Sequence, residues 1–336
     1  MSNTPDGTVP SMDIIVPLFN EEQALPQFHT QLTQVTASLP YEIRILYVDD
    51  GSSDGTPALL QKLAGGDPRV AFIELSRNFG HQPALTAGLD HADADIVVMM
   101  DGDGQHPPQL IPEMIAQFHA GYDIVLTQRS NDAELSLLKR KNSLLFYSFI
   151  NLIGNTRIIP GAADFRLVTR RVVEALRQMP EYHRFLRGMV SWVGFRSVIL
   201  PYTAPARLAG KPKYSFSKMM KLAMDAIFSF SLLPLQIGLV FGFLFFILAG
   251  LEVGYVLYLL LHGRRELLVP GWSSLMFMVL MAGGLLMTLV GLIGIYVGYI
   301  FQEVKRRPVY VIQTAQSRSR ALRPTSPSVE PQPRSK

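Results

Sequence analysis

Asp95-Ile-Val-Val-Met-Met-Asp101-Gly-Asp103-Gly-Gln105 decides how this chain is read. Ile96 to Met100 is apolar without a break, which fits a strand covered on both faces rather than one wetted at alternate positions. It runs directly into a turn holding two carboxylates and an amide. Outward from it, β-rich runs at 13–17, 43–48, 70–75 and 122–127 alternate with helical stretches at 21–39, 56–64, 83–91 and 108–120. Strand and helix in alternation predict an α/β domain with a mostly parallel, Rossmann-like sheet. Ligands of such sheets sit beyond the carboxyl ends of the strands, where Asp101 falls.

The 336 residues contain no cysteine, which excludes a disulfide scaffold, thiol catalysis and cysteine-ligated metal. Hydrophobic residues are 48% and charged residues 17%, too apolar for a purely soluble domain and too mixed for a wholly membranous one. The net charge of +4 admits nucleic acid, anionic lipid or phosphate-bearing small molecules as partners. Residues 1–11 are polar and lack the basic and apolar regions of a signal peptide, so the domain at 12–214 is expected to stay in the cytosol. Ser231–Leu261 and Trp272–Phe301 are each long enough to cross a ~30 Å hydrocarbon layer, and Glu252 is their one formal charge. Glu252 is a functional candidate by its place in a span, or a snorkelling side chain near the far side. Lys218 and Lys221 before the first span, and Lys305, Arg306 and Arg307 after the second, place both termini in the cytoplasm. The membrane region is thus expected at 231–307, and the basic tail at 308–336 is expected to be disordered. Leu135–Ile153 and Ser215–Phe230 mix basic and apolar side chains: each is either an interfacial helix or an ordinary one packed on the sheet, and nearness to the spans favours the former for both.

Asp101 and Asp103 project alike from an extended segment, and with Gln105 they offer the oxygen ligands that suit Mg²⁺ or Mn²⁺; the competing reading is an acidic turn. Asp49 and Asp50 end another strand, where they can accept hydrogen bonds from a base or ribose, and Gly51 allows close backbone approach. Asp54 or Ser53 can cap the helix that follows. Neither a Gly-X-Gly-X-X-Gly fingerprint nor a P-loop is present. His81, His106 and His183 receive no role.

Val16-Pro-Leu-Phe-Asn-Glu21, Asp49-Asp-Gly-Ser52, Ser76-Arg-Asn-Phe-Gly80, Asp101-Gly-Asp-Gly-Gln105, Ala163-Asp-Phe-Arg-Leu167 and Leu186-Arg-Gly188, in this order ahead of two spans, resemble the family 2 glycosyltransferases. More narrowly, the chain is similar to the polyprenyl-phosphate glycosyltransferases, the group of the bactoprenol glucosyltransferases and the relatives of dolichyl-phosphate mannose synthase. The resemblance implies a GT-A fold and an inverting transfer from a nucleotide-diphosphate sugar to polyprenyl phosphate at the bacterial inner membrane. It implies that Pro17, Phe19, Glu21, Asp49, Asp50 and Asp101 serve the donor, that Asp101, Asp103 and Gln105 hold the metal, and that Arg207 and Lys213 lie in a loop closing over the donor. It implies also that Arg129, Lys139, Arg140 and Ser143 receive the acceptor phosphate, while Asp164 and Arg166 stand beside the sugar. The cluster around Arg140 has a second reading, a lipid-headgroup or solvated face. Membrane lipid is an implied partner and nucleic acid is not; Gly283, Gly284, Gly291 and Gly294 admit a homo-oligomer.

Gly104, Ala163 and Pro212 depart from the pattern, and Pro212 predicts a stiffer closing loop. A phosphomonoester acceptor is largely a dianion at neutral pH, so Asp164 is expected to orient a group more than to act as a base. Two other readings make different demands on the sequence. A processive polysaccharide synthase should carry a Gln-X-X-Arg-Trp segment and more spans, whereas a non-catalytic lipid-binding scaffold should have lost Asp101 or Asp103.

Overall fold

The computed structural model describes residues 9–129, 162–179, 181–182, 184–205, 233–263 and 271–317. Its elements in chain order are β1 (Ser11–Leu18), α1 (Leu25–Thr36), β2 (Glu42–Asp49), α2 (Thr56–Gly66), β3 (Val70–Leu75), α3 (His81–His91), β4 (Ile96–Met99), α4 (Ile111–His119), β5 (Ile124–Arg129), β6 (Ala162–Thr169), α5 (Arg170–Arg177), α6 (Leu186–Trp192), β7 (Ser197–Tyr202), α7 (Leu233–Leu261), α8 (Trp272–Val304) and β8 (Ile312–Gln316). The chain divides into two compact units: residues 219–307 with 153–155, and the remainder.

The larger unit is built on one sheet in the order β7-β5-β6-β4-β1-β2-β3-β8. β1 pairs in parallel with β2 and β4, β2 with β3, and β5 with β7. The expected α/β class and mostly parallel sheet are observed, with a reversal at β6, which lies antiparallel between β4 and β5. Alternation across the pleat gives two cores. Ile14, Val16, Val98 and Phe165 face one side with Phe28 of α1 and Met114 of α4; Ile15, Val97, Met99 and Val168 face the other with α3, α5 and α6. Because Phe165 and Val168 point to opposite sides, Asp164 and Arg166 share the α3/α6 side with Val168. The buried pair Arg44–Asp13 crosses from β2 to β1 on that side, with bonds of 2.9 and 2.6 Å, and Asp13 also accepts the Asp93 amide at 2.8 Å.

The disordered tail expected from 308 is corrected over its first residues. β8 adds antiparallel to β3, the Ser76 amide donates to the Val311 carbonyl at 2.9 Å, and the Tyr310 hydroxyl donates to Asp90 at 3.1 Å. Tyr310 and Ile312 pack on the core beside Phe79, which is the apolar gain that orders a segment otherwise polar.

In the smaller unit, α7 has 29 residues and α8 has 33, where the two spans were expected. Of the two expected spans the described residues support one: the stretch Phe277–Val304 is long and apolar enough to cross a membrane, with a mean hydropathy of 2.3. Gly238 is where the two helices pack, since a Cβ there would meet Leu289 Cδ2 at 2.1 Å. Around Gly283, Gly284, Gly291 and Gly294 the space is open among the described residues. The segments 135–153 and 215–230, together with His183 and Pro212, lie outside the described residues.

Candidate functional site

Three loops meet at the carboxyl ends of β1, β2 and β4. After β1, Asn20 takes a left-handed φ of 52°, its amide donates to Ser52 Oγ at 2.8 Å, and its side-chain oxygen accepts from the Ser53 amide at 2.9 Å. Asp54 accepts the Thr56 amide at 3.0 Å, but the N-cap of α2 is Gly55, with no side-chain cap bond, so the capping expected of Asp54 or Ser53 is corrected. Pro17 is buried in β1, and Phe19 and Glu21 are half-buried beyond it. Asp49, 0% exposed, holds Ser52 through its amide at 3.1 Å and its hydroxyl. Asp50, 3% exposed, accepts the amides of Phe79 and Gly80 at 2.7 and 2.9 Å. Burial pushes both carboxyls up, and the bonds they accept offset part of that rise. The observed work of this pair is to tie loops together. Gly51 does permit a close approach, but of the chain to itself: with φ 65°, a Cβ there would lie 2.4 Å from the Arg77 carbonyl carbon.

Past β4, Gly102 presses the turn onto Leu18, leaving no room for a Cβ. The Asp101 amide donates to Nδ1 of His106 at 2.8 Å, which assigns the proton of a neutral imidazole to Nε2. That ring is 5% exposed, stacked on Phe165 with centroids 5.2 Å apart and edge-on to Tyr202 at 6.2 Å. Asp103 accepts the Gln105 amide at 3.0 Å, closing the turn that holds both carboxylates, each half-buried. Asp101 Oδ1 is buried without a hydrogen bond, and the Asp101 side chain is one-third exposed. A buried carboxylate oxygen that makes no hydrogen bond, in one turn with Asp103 and Gln105, fits a hard cation that takes its remaining ligands from water and phosphate. Among the described residues no group of three His, Asp or Glu side chains forms a closed metal cage.

Asp164 is the second focus. It is 5% exposed and meets Arg166, an ion pair at Oδ1, and Arg187, whose Nε and Nη2 reach Oδ1 and Oδ2 at 3.0 and 2.8 Å. His81 at the start of α3 links the two foci, its Nε2 3.4 Å from Asp164 Oδ2 and 3.5 Å from Asp101 Oδ1. Burial alone would raise the Asp164 carboxyl, but Arg187, His81 and Arg166 outweigh it and hold it well below the usual carboxylate range. For His81 burial lowers the imidazole, and the two carboxylates outweigh that and raise it to about 9. Burial pushes the Tyr202 phenol up to about 12, in a neighbourhood shared by Arg129, Asp101, Asp103 and Arg187.

The structure therefore brings Asp101, Asp103, Asp164, Arg166 and Arg129 to one end of the sheet. Arg207, Lys213, Lys139, Arg140 and Ser143 lie outside the described residues. Sequence reasoning gave His81 and His106 no role and did not single out Tyr202 or the contact of Arg187 with Asp164. Two signals were in view: His106 directly follows Gln105, and His81 directly follows the Ser76–Gly80 motif.

A family model described as glycosyl transferase family 2 matches residues 13–177. A prophage bactoprenol glucosyl transferase homolog of Escherichia coli (strain K12) is 38% identical over 303 residues, covering 90% of this chain and 98% of that protein. An SfII prophage-derived bactoprenol glucosyl transferase of Shigella flexneri is 38% identical over 303 residues, covering 90% and 97%. An uncharacterized glycosyltransferase of Bacillus subtilis (strain 168) is 38% identical over 300 residues, covering 89% and 92%.

Proposed function

The chain belongs to glycosyl transferase family 2, and from that membership we propose that it moves a sugar, with inversion, from a nucleotide-diphosphate sugar to polyprenyl phosphate at the cytoplasmic face of a bacterial inner membrane. The observation that carries the reading is the state of Asp164. A carboxylate gripped by two guanidiniums is a poor proton acceptor, which suits an acceptor whose attacking oxygen is already ionised. A phosphomonoester meets that requirement and a sugar hydroxyl does not. The names of the bactoprenol relatives point to the same acceptor class.

In this reading the acceptor's phosphate oxygen forms a bond to the anomeric carbon from the face opposite the diphosphate. The bond from that carbon to the diphosphate breaks, its electron pair leaves with the nucleoside diphosphate, and no proton changes hands. Asp101, Asp103 and Gln105 would hold Mg²⁺ or Mn²⁺, which when bound neutralises charge on the diphosphate. His106 fixes the Asp101 backbone, and the loops tied by Asp49 and Asp50 shape the wall for the nucleoside together with Pro17, Phe19 and Glu21. Arg129 ends β5 beside Tyr202 and is assigned to the acceptor phosphate with Lys139, Arg140 and Ser143; Arg207 and Lys213 are assigned to a loop over the donor. Both α7 and α8 are read as spans, with the sheet-bearing unit on the cytoplasmic side.

The test incubates the purified full chain, Mg²⁺ and a short-chain polyprenyl phosphate with a panel of UDP- and GDP-sugars. Formation of an alkali-stable or acid-labile glycosyl phosphate lipid by mass is expected for one donor. Transfer only to a hydroxyl-bearing acceptor, with none to the lipid phosphate, would refute the reading.

A further inference from the structure

Asp164 gathers more positive charge than its own burial requires. Arg166 has a side chain only 2% exposed and also donates to the Leu186 carbonyl at 3.3 Å, so this cation is used up inside the protein. Arg187 engages both carboxylate oxygens, yet 30% of its side chain stays exposed. With His81 also 3.4 Å from Asp164 Oδ2, three basic groups face this carboxylate, and of the two guanidiniums Arg187 is the one that reaches solvent. Its planar fork is matched to the carboxylate on one edge, so the group is held in orientation instead of sweeping through rotamers. Asp101 and Asp103 lie in the same neighbourhood, and Arg187 joins Arg166 and His81 in offsetting the repulsion that these carboxylates would exert on an incoming phosphate.

Resting on the transfer reading above, we propose that Arg187 is a phosphate-binding cation of the site and that Asp164 is its positioning residue, presenting the guanidinium to a phosphate oxyanion. Negative charge moves during transfer from the acceptor oxygen to the leaving diphosphate oxygen, and a fixed cation between them serves either end. The donor's diphosphate and the acceptor's phosphomonoester offer the same chemistry to this group.

The experiment uses the full chain in nanodiscs, with Mg²⁺, the active nucleotide sugar and short-chain polyprenyl phosphate. Arg187→Ala should lower kcat/KM by roughly 100-fold, the scale for losing one preorganised donor at developing charge. Arg187→Lys should recover little of it, because an ammonium cannot make the fork. Asp164→Asn should fall to a similar level, and the double variant should fall no further, as for residues acting as one unit. Calorimetry with UDP and GDP separates the sources. Unchanged nucleoside-diphosphate affinity with a raised KM for lipid phosphate assigns Arg187 to the acceptor, and weakened affinity assigns it to the donor. Should Arg187→Ala fail to show a wild-type thermal transition, Arg187→Lys carries the test. Wild-type kinetics in Arg187→Lys, or an Asp164→Asn loss at least tenfold deeper than that of Arg187→Ala, overturns the assignment. A wild-type chain that makes no glycolipid from any phosphate acceptor overturns the transfer reading instead.

Discussion

Replacing His106 tests how the metal-binding turn is held. His106→Phe keeps a flat ring against Phe165 but removes the Nδ1 acceptor that takes the Asp101 amide at 2.8 Å. A largely buried donor left unmatched costs about 1–3 kcal/mol. Spread over a domain of this size, that lowers the thermal midpoint by about 2–12 °C. The amide belongs to the residue whose carboxylate would ligate the metal, so the loss also frees that carboxylate to wander. About 1.4 kcal/mol of lost preorganisation raises the Mg²⁺ concentration for half-maximal transfer about tenfold. His106→Asn is the counter-experiment: its amide oxygen falls near the place of Nδ1, so the bond is retained while ring stacking worth about 0.5–1.5 kcal/mol is lost. Transfer titrated with Mg²⁺, alongside a thermal melt of each variant, reads both effects. The Phe variant should shift in both assays and the Asn variant chiefly in the melt. Equal Mg²⁺ dependence in wild type and His106→Phe would refute the reasoning.

Asp103→Asn should cut transfer by roughly 100- to 1,000-fold with an unchanged circular dichroism spectrum, and excess chelator should abolish turnover of the wild type. A reporter fused after residue 317 should read cytoplasmic and one inserted near Gly263 should read the opposite side; the reverse pattern would exclude a cytosolic sugar donor. Burial lowers the His91 imidazole below its ordinary 6.5, so the stability tied to it is full above that value and is lost as pH falls through the folded pKa; His91→Gln should flatten the decline in melting temperature between pH 7 and 5. Asp13→Asn strands the buried Arg44 guanidinium and should cost about 3–5 kcal/mol in chemical denaturation.

The strands at 13–17, 43–48, 70–75, 95–100 and 122–127 were legible because each is a compact apolar run covered on both faces, and all five are present as β1 to β5. β6, β7 and β8 were not. In β6 the apolar run is broken by Asp164 and Arg166, which belong to the site; in β7 Pro201 argues against a strand, yet it lies on an edge where its missing donor is tolerated. β8 reads Ile-Gln-Thr-Ala-Gln and takes its order from pairing with a strand more than 230 positions earlier, which no local pattern reveals. Asp101 and Asp103 were legible as a pair because they stand two residues apart in the turn that leaves β4. The convergence of His81, Asp164 and Arg187 joins three separate elements, and the bonds that Asp49 and Asp50 accept from Ser52, Phe79 and Gly80 depend on loop folding that no local pattern reveals.

Because β8 follows both long helices, the sheet that carries the chemistry is finished by a strand that leaves the ribosome after both of them. Until then the outer edge of β3 presents bare amides and carbonyls beside Phe79, a surface prone to recruit a stray strand. A fragment ending before residue 219 would keep every charged group at the carboxyl ends of β1, β2 and β4 and still lack this closing strand. Solubility of such a fragment should therefore depend on supplying residues 308–317 in trans or by a short graft, and the intact chain cannot complete its catalytic half until its apolar helices have been synthesised.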